Sequence, residues 1–136
     1  MKPIVLDTCV LISGLLKPFG ASGALVDAFF RDRLKLAWTS DIVAEYGEVM
    51  ARDEFDIESR ERVAVVLKLR SCGEKVTPCP VPDAEWPDVD DLPFVAAALA
   101  VESRTIVTLN PRDFAPALDM GIRIVKPGEA LQELRE

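Results

Sequence analysis

The chain of 136 residues contains no histidine. That absence removes imidazole as general base, as the acid in phosphate cleavage and as metal ligand, and with it the Ser-His-Asp and Cys-His hydrolases and the histidine-dependent ribonucleases. Any metal site must then be built of oxygen, a donor set that favours Mg²⁺ or Mn²⁺. Cysteine is scarce: Cys9, Cys72 and Cys79 are odd in number and form no C-x-x-C pair, which argues against a disulfide framework or a zinc site and points to ordinary thiols, a Cys72–Cys79 bridge being disfavoured in a reducing compartment. The apolar runs fall well short of the ~20 residues of a membrane span. The opening MKPIVLD lacks the basic, apolar and small-residue succession of a signal peptide, so the expected location is the cytoplasm, with no membrane contact.

With 49% apolar and 29% charged residues and no repeat, the composition is that of a globular chain, and its length suits a single domain over residues 1–136. The formal charge of −7 argues against a protein that simply coats nucleic acid, because backbone binding depends on Lys and Arg neutralising phosphates. It does not argue against a nuclease. Carboxylates that hold divalent cations make the metal-free protein acidic and attract phosphate once loaded. Basic residues gather at Arg31, Arg33 and Lys35 and from Arg60 to Lys75, where solvated helix faces explain them as well as substrate edges do.

Strand-like and helix-like segments alternate. PIVLD reads as a buried strand, TCVLISGLL as a short helix, ALVDAFFRDR as a helix and LKLAWT as a strand. Ser40 opens a helix with Ile42, Val43, Tyr46, Val49 and Met50 on one face. IESRERVAVVLKLRSCG follows as a helix with Val63, Val66, Leu67 and Leu69 as its apolar face and Gly73 as its stop. KVTPCPV is a strand candidate weakened by its prolines, and 82–93 is an acid-rich loop leading into the small-residue helix FVAAALAVES. TIVTL is a second buried strand; NPRDF is a turn, APALDMG a short helix, IRIV a last strand and KPGEALQELRE a closing helix. The pattern predicts a three-layer α/β/α sandwich around a parallel sheet of four to five strands.

Ligands of open parallel sheets bind beyond the carboxyl ends of the strands. Asp7 stands at such an end, and Asn110 and Asp113 lie just past TIVTL in the same sense. Glu45 falls about 90° from the centre of its helix's apolar face, at the border of the core. Asp90 and Asp91 precede the alanine-rich helix, where a helix cap is the competing explanation for either. Converging carboxylates repel in a dehydrated cleft and call for a cation or a shared proton.

The segments VLDTCVLIS, SDIVAEYGEVMAR, DVDDLPFVAAALAVESRTIVTLNPRDF and IRIVKPGEAL resemble, in the same order and over nearly the whole chain, the PIN-domain nucleases, and within them the toxin components of toxin–antitoxin systems. The strand-end Asp-Thr, the S-x-x-x-x-E-Y helix, the acid-rich approach to an alanine-rich helix and T-x-N-x-x-D-F carry that resemblance together. It implies that Asp7, Asp91 and Asp113 hold Mg²⁺ or Mn²⁺, that Glu45 orients a water or completes the metal shell, and that the protein is a metal-dependent endoribonuclease cutting RNA. Asp90 and Asp88 are the alternatives to Asp91, and Asn110 stands where many relatives carry an acid. Ser40 and Thr8 are candidates to position acids or a phosphate, with a helix cap and a turn hydroxyl as the competing jobs, and Arg112 is a candidate to grip a phosphate, with a solvated charge as its competing explanation. The resemblance further implies a homodimer held inactive by a small antitoxin protein, with Phe19, Phe29 and Phe30 as interface candidates of which at least two belong to the core. A haloacid-dehalogenase-type phosphatase also begins with a strand-end Asp but needs a second Asp two residues on, where this chain has Cys9. A catalytically silent PIN-like module that binds RNA or protein is the alternative from a different class.

Overall fold

The computed structural model describes residues 2–136. Five short strands form the sheet: β1 (Val5–Leu6), β2 (Ala37–Trp38), β3 (Glu74–Lys75), β4 (Thr105–Val107) and β5 (Arg123–Val125). β1 pairs with β4 and β4 with β5, all parallel, with Val5 opposite Ile106 and Leu6 opposite Val107. β2 and β3 pair in parallel separately. A parallel bridge between Ile4 and Leu36, with Ala37 N donating to the Ile4 carbonyl at 2.8 Å, joins the two pieces into the order β3-β2-β1-β4-β5. The chain therefore winds outward from β1 in one direction and returns beside it as β4, which makes the β1/β4 boundary the topological switch point.

Successive strand residues point to opposite faces, and in β1 and β4 every residue is buried, so helices must cover the sheet on both sides. The helices are α1 (Thr8–Leu16), α2 (Ala21–Phe30), α3 (Ser40–Met50), α4 (Ser59–Cys72), α5 (Leu92–Ala98) and α6 (Pro127–Arg135). α2 packs against α1 and α6, whereas α3 packs against α4 and α5, and α5 also lies on β1 and β4. The expected sandwich is present, with strands of only two or three residues. No single helix among the described residues is long and apolar enough to cross a membrane.

Three expectations need correction. Thr39, not Ser40, caps α3: its Oγ1 accepts from Ile42 N at 3.2 Å, and Ser40 is an exposed first helical residue. In α4, Val65 and Leu69 are buried and Val66 is half-buried, while Val63 and Leu67 stand 55% and 61% exposed. Residues 63 and 65 lie about 200° apart around a helix, so this edge helix has two apolar stripes and only one meets the core. Residues Pro111–Met120 form a 3-10 run kinked at Phe114, in place of a turn followed by an α-helix, because Pro116 lacks the N–H that a regular ladder would use.

The α1–α2 corner depends on close backbone approach. A Cβ on Gly23 would sit 2.4 Å from the Pro18 carbonyl carbon and oxygen, and one on Gly14 would sit 2.4 Å from Val26 Cγ2. Gly23→Ala should therefore cost about 3 kcal/mol, lowering the midpoint of thermal unfolding by roughly 10 °C, because backbone rather than a flexible side chain opposes the added methyl. Calorimetry of the variant beside the parent checks it.

Candidate active site

Asp7 leaves β1 with its backbone N donating to the Val107 carbonyl at 2.9 Å, so β4 fixes where it emerges. It occupies the cap position of α1, yet its side chain caps nothing. Instead Oδ2 accepts from Thr108 Oγ1 at 2.7 Å and from Cys9 Sγ at 3.2 Å. The carboxylate is buried and held by two donors on one oxygen, which disposes of the helix-cap explanation. Thr108 is fully buried, and its Oγ1 in turn accepts from Asn110 N at 3.0 Å.

Glu45 is positioned through its neighbour. The fully buried Tyr46 donates its hydroxyl to the Leu6 carbonyl, tying α3 to the last residue of β1, and packs 6.3 Å, ring centre to ring centre, from Phe94 of α5. Glu45 accordingly faces the α1 start, where the Thr8 hydroxyl donates to its Oε2. The 3-10 turn Val89–Asp91 is closed by Asp88, whose Oδ1 accepts from Asp90 N at 2.9 Å. Among the three neighbouring acids Asp88 is thus the turn cap, Asp90 is exposed and Asp91 is half-buried at the head of α5. Asp113 lies in the first turn after β4, its N donating to the Asn110 carbonyl at 3.1 Å.

These segments converge on one cleft of about 630 Å³, lined by Asp7, Glu45, Asp88, Asp90, Asp91 and Asp113. Thr8, Cys9 and Asn110 also line it, whereas Ser40 and Arg112 do not. The acids feel one another. Burial first, and then the charges of Asp7, Asp88, Asp113 and Glu45, push the Asp91 carboxyl from 3.8 up to about 7. Burial raises Asp7 despite the bonds from Thr108 and Cys9, and the Asp113 charge adds to the rise. Burial also raises Glu45 against the pull of Thr8, with Asp7 and Asp90 contributing. The Cys9 thiol is pushed up to about 12 by burial and by the adjacent Asp7, so it stays a protonated donor.

The donor set fits a hard divalent cation: carboxylate and amide oxygens, no imidazole, and a thiol that keeps its proton. Among the described residues no three such side chains stand close enough to form a ready-made ion cage. Like charges in a half-buried cleft repel one another.

Thr108, Tyr46 and Cys9 support the acids, a role expected from sequence for none of them. For Thr108 a signal existed: in the parallel register that sets Leu6 against Val107, the next pair is Asp7 and Thr108.

Acids from four separate segments, gathered at the switch point of a parallel sheet, define an α/β protein with an oxygen-lined cleft. A model of the PIN domain family matches residues 3–112, and the chain belongs to that family. The matched span contains Asp7, Glu45 and Asp91, and Asp113 follows directly after it. PIN domains are typically nucleases, act on nucleic acid and generally use divalent metal ions. No curated protein matches the chain.

Proposed function

We propose that the protein is a metal-dependent endoribonuclease, a single domain over residues 1–136, and the toxin of a toxin–antitoxin pair acting in the cytoplasm. The observation that carries the nuclease reading is the gathering of Asp7, Glu45, Asp91 and Asp113, from four separate parts of the chain, around one cleft. Asp7, Asp91 and Asp113 would hold Mg²⁺ or Mn²⁺. A bound divalent cation supplies Lewis acidity toward a phosphodiester and eases deprotonation of the attacking water.

The chain's own residues do the rest. Thr108 and Cys9 both donate to Oδ2 of Asp7 and so fix the carboxylate. Thr8 holds one oxygen of Glu45, whose other oxygen is available to orient the water and accept its proton as the phosphorus–oxygen bond to the leaving group breaks. Asn110 contributes an amide where an acid would add a further negative charge.

An apolar groove of about 570 Å³ between α1, α2 and α4, with Phe19 fully exposed on its rim, supports a homodimer or an antitoxin contact. Phe29 is buried and Phe30 packs partly against the core, which leaves Phe19 as the interface aromatic.

The test is incubation of the purified chain with single-stranded RNA in Mn²⁺, Mg²⁺ or EDTA. Internal cleavage that requires the cation supports the reading, and intact RNA in all three contradicts it. Thr108→Val should lower cleavage about 10- to 100-fold, with a matching rise in the Mn²⁺ concentration needed, because it removes the donor that fixes Asp7. Thr108→Ser should restore most of the rate.

A further inference from the structure

The acids fill only one end of the cleft. Along α1, cleft-lining residues recur as Thr8 and Cys9, Ile12 and Ser13, then Leu16 and Lys17, about one helical turn apart. The same side of α1 therefore forms one wall from the acidic end to its last turn. At 1.5 Å per residue, Lys17 lies about 15 Å along the helix from Asp7. It is the one cation among the residues lining the cleft, and among the described residues it makes no ion pair although six acids share the cavity.

Between the two ends the wall is mostly apolar, with Ser13 among its residues. Leu16 and Leu109 are each 43% exposed, and Val49 and Phe55 are half-buried across from α1. Phe55 arrives on the 3-10 turn Asp53–Phe55, which closes into Asp56 at φ 50°, a left-handed conformation that aspartate adopts more readily than most residues. A cavity that held only an ion would have no use for this surface.

We infer that the apolar stretch and Lys17 form a nucleotide-holding subsite, in which an unpaired base packs against Phe55, Leu16 and Val49 while a phosphate beyond the scissile one reaches Lys17. The inference rests on the nuclease reading above. An aromatic face accepts any base, because every base presents a π-face of its own. The order along the cleft, acid then apolar then cation, matches the order along a strand of scissile phosphate, base and flanking phosphate. A duplex keeps its bases stacked inside and offers none to this wall, so the bound strand is single-stranded over the subsite.

The experiment compares Lys17→Ala, Phe55→Ala and Phe55→Leu with the parent on a single-stranded RNA and on the same sequence in a duplex, in Mn²⁺ over a range of salt. Lys17→Ala should raise KM about five- to tenfold and reduce the salt dependence of 1/KM by about 0.7 in logarithmic slope, since one phosphate contact is lost. Phe55→Ala should raise KM about tenfold with the salt slope unchanged. Phe55→Leu keeps the packing volume but not the flat ring, and should show most of the same rise with an unfolding midpoint near the parent's. If the parent cuts RNA but KM is unchanged in all three variants, or if it cuts the duplex equally well, the subsite is wrong and the nuclease reading stands. If the parent cuts neither RNA, the nuclease reading fails and the subsite falls with it.

Discussion

Asp7→Asn should reduce RNA cleavage at least a thousandfold while leaving the protein folded. The loss corresponds to about 4 kcal/mol of transition-state stabilisation, of the size expected when a central cation-holding charge is removed. The fold should tolerate the change because an amide oxygen can still accept from Thr108 Oγ1 and Cys9 Sγ, the two bonds that the buried carboxylate makes at 2.7 Å and 3.2 Å. The backbone bond from residue 7 to Val107 is untouched. Burial and the neighbouring Asp113 already disfavour the charged form of Asp7, so a neutral side chain relieves a cost. The expected pattern is lost cleavage with an unfolding midpoint equal to the parent's or higher. Cleavage within threefold of the parent would remove Asp7 from the chemistry.

Asp91→Asn should stabilise the metal-free protein at neutral and alkaline pH while abolishing cleavage. In the folded chain the Asp91 carboxyl keeps its proton up to about pH 7, whereas the ordinary value is 3.8. As pH rises from about 4, the unfolded chain loses this proton first, the folded chain binds more protons, and stability falls until the folded group has also ionised above pH 7. Asparagine at this position has no such titration. The variant should match the parent near pH 4, pull ahead through pH 5 to 7 and hold a constant lead above that. The full rise from 3.8 to about 7 corresponds to about 4 kcal/mol. Because the side chain is half-exposed and screened by solvent, about 1–2 kcal/mol is expected, or roughly 4–8 °C in the unfolding midpoint at pH 8 and low salt. Mn²⁺ should raise the midpoint of the parent and leave the variant unmoved, since only a folded chain with its acids complete gains from binding. A lower midpoint for the variant at pH 8 would contradict the electrostatic account.

The fold was largely legible because short-range signals and long-range demands agree in this chain. PIVL and TIVT each have a β-branched apolar centre, which marks strands buried in the middle layer, and Asp7 stands at the end of one of them, where the acids gather. What escaped was whatever depends on a partner distant in sequence. Thr108 acts across 101 residues and Tyr46 across 40, and no local pattern reveals such a pairing, whereas Thr8, expected to position an acid, bonds Glu45 across 37. The α4 stripes show the opposite failure: Val63 and Leu67 have the right spacing for a core face, but an edge helix offers the core only one side. At the acid-rich turn, sequence left Asp88, Asp90 and Asp91 open. In the structure Asp88 caps the turn, Asp90 is exposed and Asp91 is half-buried, and all three line the cleft.

Titration of Mn²⁺ into the metal-free chain, with free ion counted by electron paramagnetic resonance, tests the central claim most directly, because it separates a cation-dependent nuclease from a silent module that only binds a partner. Saturable binding by the parent, lost in Asp91→Asn, is the predicted result. Absence of binding by the parent, or equal binding by the variant, would contradict the assignment of the cleft acids to a metal-dependent site.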